Sequence, residues 1–313
     1  MLGIISAVVV IGEKLIDTHL QSFTGYSEYL YYYFDMESSG NYGLTWTFET
    51  ESQMKRFASI FANPLEHAVG AVLWLSVLLT TIAYKRDKRI IIQPEGFDLI
   101  GIAGSLICIV LAASTASFLS YFMLVYFYGW IIKNKSIVSG FHLFFLTALL
   151  YILFFLEGDL YDFIVNTITF ENASSIGHVI EWLTGIEAMI NNPMGMGLGE
   201  SGRVAAAGGF NTGGENQLII VGVQTGILSM LIYIIIHFSL INTGLKALKN
   251  HEGKTWKVSL LVILIKIGLF IPAFTANVDS YIYLTYFSWL ISGYMVNLIS
   301  EENLNKVTAT QAV

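Results

Sequence analysis

Cysteine, proline and charge are all scarce in this chain. Its one cysteine, Cys108, lies inside an apolar run, which excludes a disulfide framework and any cysteine-based metal site. There are four prolines in 313 residues, and neither a low-complexity segment nor an internal repeat is evident. The N-terminus lacks the basic start and small-residue cleavage site of a signal peptide. Charged residues make up 12% of the chain and hydrophobic residues 55%, and several apolar runs reach the ~20 residues needed to cross a hydrocarbon core. The chain reads as a polytopic membrane protein, in which the distribution of charge says more than its net of -7.

The first apolar stretch, residues 2–11, is about half the length of a span, and Glu13 and Lys14 follow at once. The chain is therefore expected to begin inside a transmembrane helix, as the C-terminal part of a longer protein or a mis-started reading frame. Further spans are expected over 66–84, 98–114, 116–132, 138–157, 216–242, 258–275 and 280–299, about eight passes with the partial first one. Lys85, Arg86, Lys88, Arg89, Lys133, Lys135, Lys246, Lys249, Lys254, Lys257 and Lys306 fall in loops 85–97, 133–137 and 243–257 and in the tail. Loops 17–65 and 158–215 carry only Lys55, Arg56 and Arg203, so by the positive-inside rule both are extracytoplasmic. The predicted fold is one all-α transmembrane domain, 1–313, with two large external loops. Lys266 is its main intramembrane charge, placed to snorkel or to pair with a carboxylate, with Asp279 near the opposite end.

Both external loops are acidic, and within them Arg56 and Arg203 are the only arginines. Each either pairs with a neighbouring carboxylate or serves an anion. In "RFASIFANP", Arg56 precedes Phe57 and Phe61, read as interfacial aromatics, and Asn63-Pro64, which suits the cap and first turn of a helix whose amides face outward. An arginine beside such an end makes an anion site, with phosphate the natural occupant. In "NNPMGMGLGESGR", Gly195, Gly197, Gly199 and Gly202 let the backbone bend sharply and a ligand approach; the alternative is a flexible loop. Before it, Val179, Trp182, Leu183, Ile186 and Ile190 form one face of an amphipathic helix over about 176–190, lying on the membrane surface or over a cavity. His178 and Glu181 share its other face, as a catalytic dyad or as a plain helix-surface contact. Glu215 and Asn216 then open what reads as one long apolar helix. Asp35 with Glu37, and Asp159 with Asp162, have spacings a divalent metal would use, though such pairs arise by chance in loops this acidic.

Together "RFASIFANP", "GHVIEW", "NNPMGMGLGESGR" and "GGENQLIIVGVQTGILSMLIYI" resemble the superfamily of O-antigen ligases and O-antigen (Wzy-type) polymerases, over about residues 50–299. The resemblance implies a type-C membrane glycosyltransferase of the bacterial plasma membrane. Its donor would be an undecaprenyl-diphosphate-linked glycan and its acceptor another lipid-linked repeat unit or, in a ligase, the lipid A core. A flippase and a chain-length regulator are the implied partners, with no nucleic acid, cofactor or metal. Ligases usually show histidine where this chain has Glu215, which favours a polymerase; "STASF" at 114–118 stands where many relatives carry "SRG". The chemistry needs cations at the diphosphate and a base at the acceptor hydroxyl. Arg56 and Arg203 suit the first task, and Glu215, with His178 as alternative, the second. Asn216, Asn63, Glu181, Gly199 and Gly202 complete the expected substrate-binding set. A transporter or flippase of lipid-linked sugars is the competing class, and would show ionisable residues deep in the spans and broken helices.

Overall fold

The computed structural model describes all residues except 35–39, 41, 51, 52, 87, 88, 156, 157, 159, 160, 162–164, 166–168, 170–172, 203, 204, 206–211, 312 and 313. The chain order is α1 (Leu2–Ile16), α2 (Tyr26–Phe34), α3 (Pro64–Thr81), β1 (Ala83–Arg86), β2 (Arg89–Ile92), α4 (Gly96–Leu111), α5 (Thr115–Ile131), α6 (Lys135–Phe154), α7 (Ala173–Asn191), α8 (Gln217–Thr225), α9 (Ile227–Asn250), α10 (Gly253–Gly268) and α11 (Ile282–Gln311). Among the described residues, five helical stretches are long and apolar enough to cross a membrane: α3, α6, α9, Gly253–Thr275 beginning with α10, and Ile282–Asn305 of α11. These make a mostly helical, multi-pass membrane protein. At 16 and 17 residues, α4 and α5 match two further expected spans but reach only about 25 Å at the usual helical rise.

Two expectations are corrected. The span drawn over 216–242 is not one helix: it breaks at Gly226, whose φ of 93° and ψ of 163° no α-helix accommodates. With 24 residues, about 36 Å, α9 is long enough to cross alone, and Glu215 lies twelve residues before it starts at Ile227. The basic loop 85–97 is not plain coil either. It holds an antiparallel hairpin, β1 with β2, pairing Ala83 with Ile92 and Arg86 with Arg89. Lys85 Nζ in that hairpin donates to the carbonyls of Leu248, Lys249 and His251 at 3.0, 3.3 and 3.0 Å. A cation is thereby set at the C-terminal end of α9, where the helix dipole is negative.

The chain divides into two compact units, residues 1–121 with 231–313, and residues 122–230. In the first, α3 packs against α1, α4, α10 and α11. Asn63 caps α3 as expected, accepting from the Glu66 amide at 2.9 Å. Val69 and Leu73 of α3 join Ile265, Tyr281 and Leu284 in a core that closes the α10–α11 corner. Contact between α1 and α4 relies on small residues, since a β-carbon on Gly104 would stand 3.1 Å from that of Ala7.

The loop 17–65 is tied to these helices by buried polar contacts. The buried Glu13 carboxylate accepts the backbone amides of Leu20 and Ser59, both at 2.8 Å. Gln21 Nε2 donates to the Ser59 and Phe61 carbonyls at 2.8 and 2.6 Å. His67 bonds the Phe57 carbonyl at 2.9 Å and lies 3.1 Å from Ser6 Oγ. Phe57, expected at the lipid interface, is instead 2% exposed and its ring meets that of His19 at 5.2 Å. Sequence alone does not reveal this because its partners lie some forty residues upstream.

In the second unit α7 and α8 run side by side in the same direction. A β-carbon on Gly185 would meet Ile219 and Gly213, and one on Gly222 would meet Met189. Met189, Ile219 and Val223 are buried there, with Trp182, Ala188, Ile227 and Met230 packed around them. Trp182 is thus part of the contact between α7 and α8, apart from Leu183, Ile186 and Ile190, with which the sequence grouped it on one face. The outward face is Ile176, Ile180, Leu183, Ile186 and Ile190, all exposed. Residue 173 starts the helix somewhat earlier than expected, and Asn191 ends it within a residue.

Candidate functional site

The loop from α7 back to α8 is held by the break it passes. The Val223 and Gln224 carbonyls, left over at the end of α8, accept from the amides of Met196 and Gly197 at 2.8 and 3.1 Å. Ile227, opening α9, donates its amide to the Pro193 carbonyl at 3.1 Å. Gly195 and Gly226 lie so close that a β-carbon on Gly195 would stand 2.7 Å from the Gly226 nitrogen. The first glycine of the "GMGLG" string therefore serves the helix break rather than a ligand. Farther on, Ser201 Oγ donates to the Thr212 carbonyl at 2.5 Å and Gln224 Nε2 to the Ser201 carbonyl at 2.8 Å. These bonds return the half-buried Gly199 and the buried Gly202 to the turn at 212–216.

At that turn, α7 delivers its polar face. A β-carbon on Gly214, whose φ is +59°, would fall on the Glu181 carboxylate. One turn back, His178 Nδ1 stands 3.7 Å from Glu181 Oε2, and the His178 ring stacks on Trp182 at 6.4 Å. Glu215 follows Gly214 and is half-buried. Asn216, 4% exposed, caps α8: its Oδ1 accepts the amides of Leu218 and Ile219 at 3.0 and 3.2 Å. The carbonyl side of Asn216 is thereby committed, and only its NH2 is left for a ligand. Thus His178, Glu181, Gly202, Glu215 and Asn216 gather in one place, with Gly199 on the strand of loop leading there. Ser201 and Gln224, which hold the gathering together, carry no signature in the sequence.

Arg56 and Asn63 belong to the other unit. The Arg56 amide donates to the Phe48 carbonyl at 2.8 Å, and neighbouring Lys55 pairs with Asp17 at 2.8 Å. Most of the α3 terminus is already satisfied: Pro64 has no N–H, Glu66 N goes to Asn63 Oδ1, and His67 N goes to the Asn63 carbonyl at 3.1 Å. Glu66, buried in that first turn, also places a carboxylate where the helix dipole is positive. The anion seat expected at this terminus is therefore narrower than its sequence implies. Arg203 lies outside the described residues, as do Asp35, Glu37, Asp159 and Asp162. Among the described residues no cluster of three or more His, Cys, Asp or Glu could hold a metal ion.

The intramembrane charge has its own surroundings. Lys266 is 3% exposed and does not snorkel; its Nζ donates to Ser288 Oγ at 3.0 Å and stands 4.0 Å over the Trp289 ring. Asp279 accepts from the Tyr233 hydroxyl at 3.0 Å, and the His237 ring meets that of Tyr233 at 4.4 Å and that of Trp289 at 5.1 Å. Tyr233 and His237, four apart in the sequence, share one face of α9. No protein-family model matches this chain, and no curated protein matches it either.

Proposed function

We propose that the chain is a membrane glycosyltransferase of the external face of the bacterial plasma membrane, joining undecaprenyl-diphosphate-linked repeat units into a surface polysaccharide. The observation that carries this reading is the seating of the His178–Glu181 face of α7 on the Gly213–Gly214–Glu215–Asn216 turn. It sets two carboxylates and an imidazole at one polar place outside a membrane-crossing helix. In the reaction, the acceptor hydroxyl oxygen attacks the anomeric carbon, the bond from that carbon to the diphosphate breaks, and its electron pair leaves with undecaprenyl diphosphate. The hydroxyl proton passes to Glu215. Arg203, next in sequence to the gathered Gly202, neutralises the departing diphosphate, and Arg56 is kept as a separate candidate for holding an anion. A single displacement inverts the anomeric centre. That α9 is long enough to cross alone supports a Glu215 at the level of the lipid headgroups, where a lipid diphosphate also lies.

The test is genetic. Arg203→Ala, Arg56→Ala and Glu215→Gln are each expected to abolish long surface glycan at unchanged protein level, leaving single repeats on the core. Unattached long polymer would instead indicate the ligase alternative, and wild-type ladders would remove the substituted residue from the mechanism. A second reading, transport of the lipid-linked glycan, is favoured by buried Lys266, an ionisable residue within a span of the kind that class calls for.

A further inference from the structure

The glycosyl-transfer reading leaves four titratable groups at the end of α10 unused. Asp279 sits in the turn between α10 and α11 and is half-buried, whereas Lys266 behind it is closed off from solvent. One carboxylate oxygen, Oδ2, accepts from Tyr233 on α9 at 3.0 Å; the other, Oδ1, accepts a longer bond from Thr285 on α11 at 3.5 Å. Thr285 Oγ1 also reaches the Val278 carbonyl at 3.1 Å, so the carboxylate and the turn share a partner. His237 Nδ1 donates to the Tyr233 carbonyl at 3.0 Å, which makes that nitrogen the protonated one. The α3 side chains packed on this corner, Leu65, Val69 and Leu73, are aliphatic, and buried Tyr281 adds a phenol. The titratable groups brought to the corner are thus those four, Asp279, Lys266, Tyr233 and His237, together with Tyr281, from α9, α10 and the turn.

We propose that Asp279, backed by Lys266 and bonded by Tyr233, is a proton-binding site of the membrane region that exchanges with the external side. Its two states balance simply. The carboxylate with the Lys266 ammonium is neutral as a pair; taking one proton from hydronium gives a carboxylic acid and leaves the ammonium uncompensated over Trp289. Protonation also removes the negative charge that the Tyr233 hydroxyl serves, loosening the tie from the turn to α9. Burial holds the Asp279 carboxyl above the ordinary carboxylate range, opposed by the Tyr233 bond, the Lys266 charge and the Thr285 bond. Ionisable groups retained in a membrane region commonly mark proton and ion paths.

The experiment is pH-difference infrared spectroscopy on the full chain in lipid nanodiscs, following the carboxylic C=O stretch. A band that grows as pH falls is expected, and Asp279→Asn should remove it. Lys266→Met should move its midpoint to higher pH, because the cation that favours the carboxylate is gone, and Tyr233→Phe should move it the same way. A midpoint indifferent to Lys266→Met and Tyr233→Phe, or no band lost in Asp279→Asn, overturns the proposal. Should Asp279→Asn fail to fold, the two shifts decide alone. Neither outcome touches the glycosyl-transfer reading, whose residues lie in loops 17–65 and 158–215.

Discussion

Asn216 Oδ1 holds two backbone amides of α8, and this fixes what its substitution does. Asn216→Ala should cost about 1 kcal/mol, the usual worth of a side-chain cap, seen as faster hydrogen exchange over 217–225. Asn216→Asp keeps the acceptor and should restore protection; protection unchanged in the alanine variant would mean that the cap is not what orders α8. His19 decides a different property. Its ring is 2% exposed among Tyr42, Phe48 and Phe57, and neither nitrogen has a hydrogen-bond partner among the described residues. Burial, and then the positive charge of Lys55, lower its pKa to about 4 from an ordinary 6.5, with Asp17 opposing. Between those values the unfolded chain binds the proton and the folded one does not. The stability of loop 17–65 is therefore full above about pH 6.5 and falls as pH drops toward 4. Limited proteolysis of loop 17–65 should accelerate over that window in the wild type. His19→Phe, which removes two unsatisfied buried nitrogens, should flatten the dependence without loss at neutral pH. An equal acceleration in the variant would place the acid sensitivity elsewhere.

At the scale of elements, the joint between α7 and α8 rests on the absence of side chains. Gly214 adopts a left-handed φ and leaves room only for the Glu181 carboxylate, while Gly226, with φ of +93°, lies against Pro193 and Met194. Gly214→Ala and Gly226→Ala should each loosen α7, read as increased exchange over 181–189. Gly12→Ala on α1, where a β-carbon meets nothing within 4 Å, should be neutral or stabilising by up to about 1 kcal/mol. Loosening of equal size in all three would separate the glycines from the joint. The spans themselves are legible in the sequence: 66–84 against Pro64–Thr81, 138–157 against Lys135–Phe154, and 258–275 against Gly253–Thr275 differ only at the ends. Long apolar runs between basic loops leave few alternatives. The cut at Gly226 is not legible, because glycine is common in membrane helices and what fixes the break is Pro193 to Gly197, thirty residues earlier. The hairpin at 83–92 escapes notice for a similar reason, since four-residue strands carry almost no periodicity and Lys85 already has an explanation in the positive-inside rule.

At the scale of the whole molecule, a multi-pass helical protein carries in its segment 158–216 a polar gathering built from residues as distant as 178 and 216. Much of that site is legible in advance: Glu215, Asn216, His178 and Glu181 are marked by their spacing and by the helices they begin or flank. Its depth is not, because the apolar run conceals which helix does the crossing. The central claim is glycosyl transfer, and it is tested most directly with the purified chain in liposomes supplied with undecaprenyl-diphosphate-linked oligosaccharide, without added metal. The account predicts lengthened glycan with one undecaprenyl diphosphate released per new bond, and no product from Glu215→Gln. Oligosaccharide that crosses the bilayer unlengthened, or lengthening unaffected by Glu215→Gln, would contradict it.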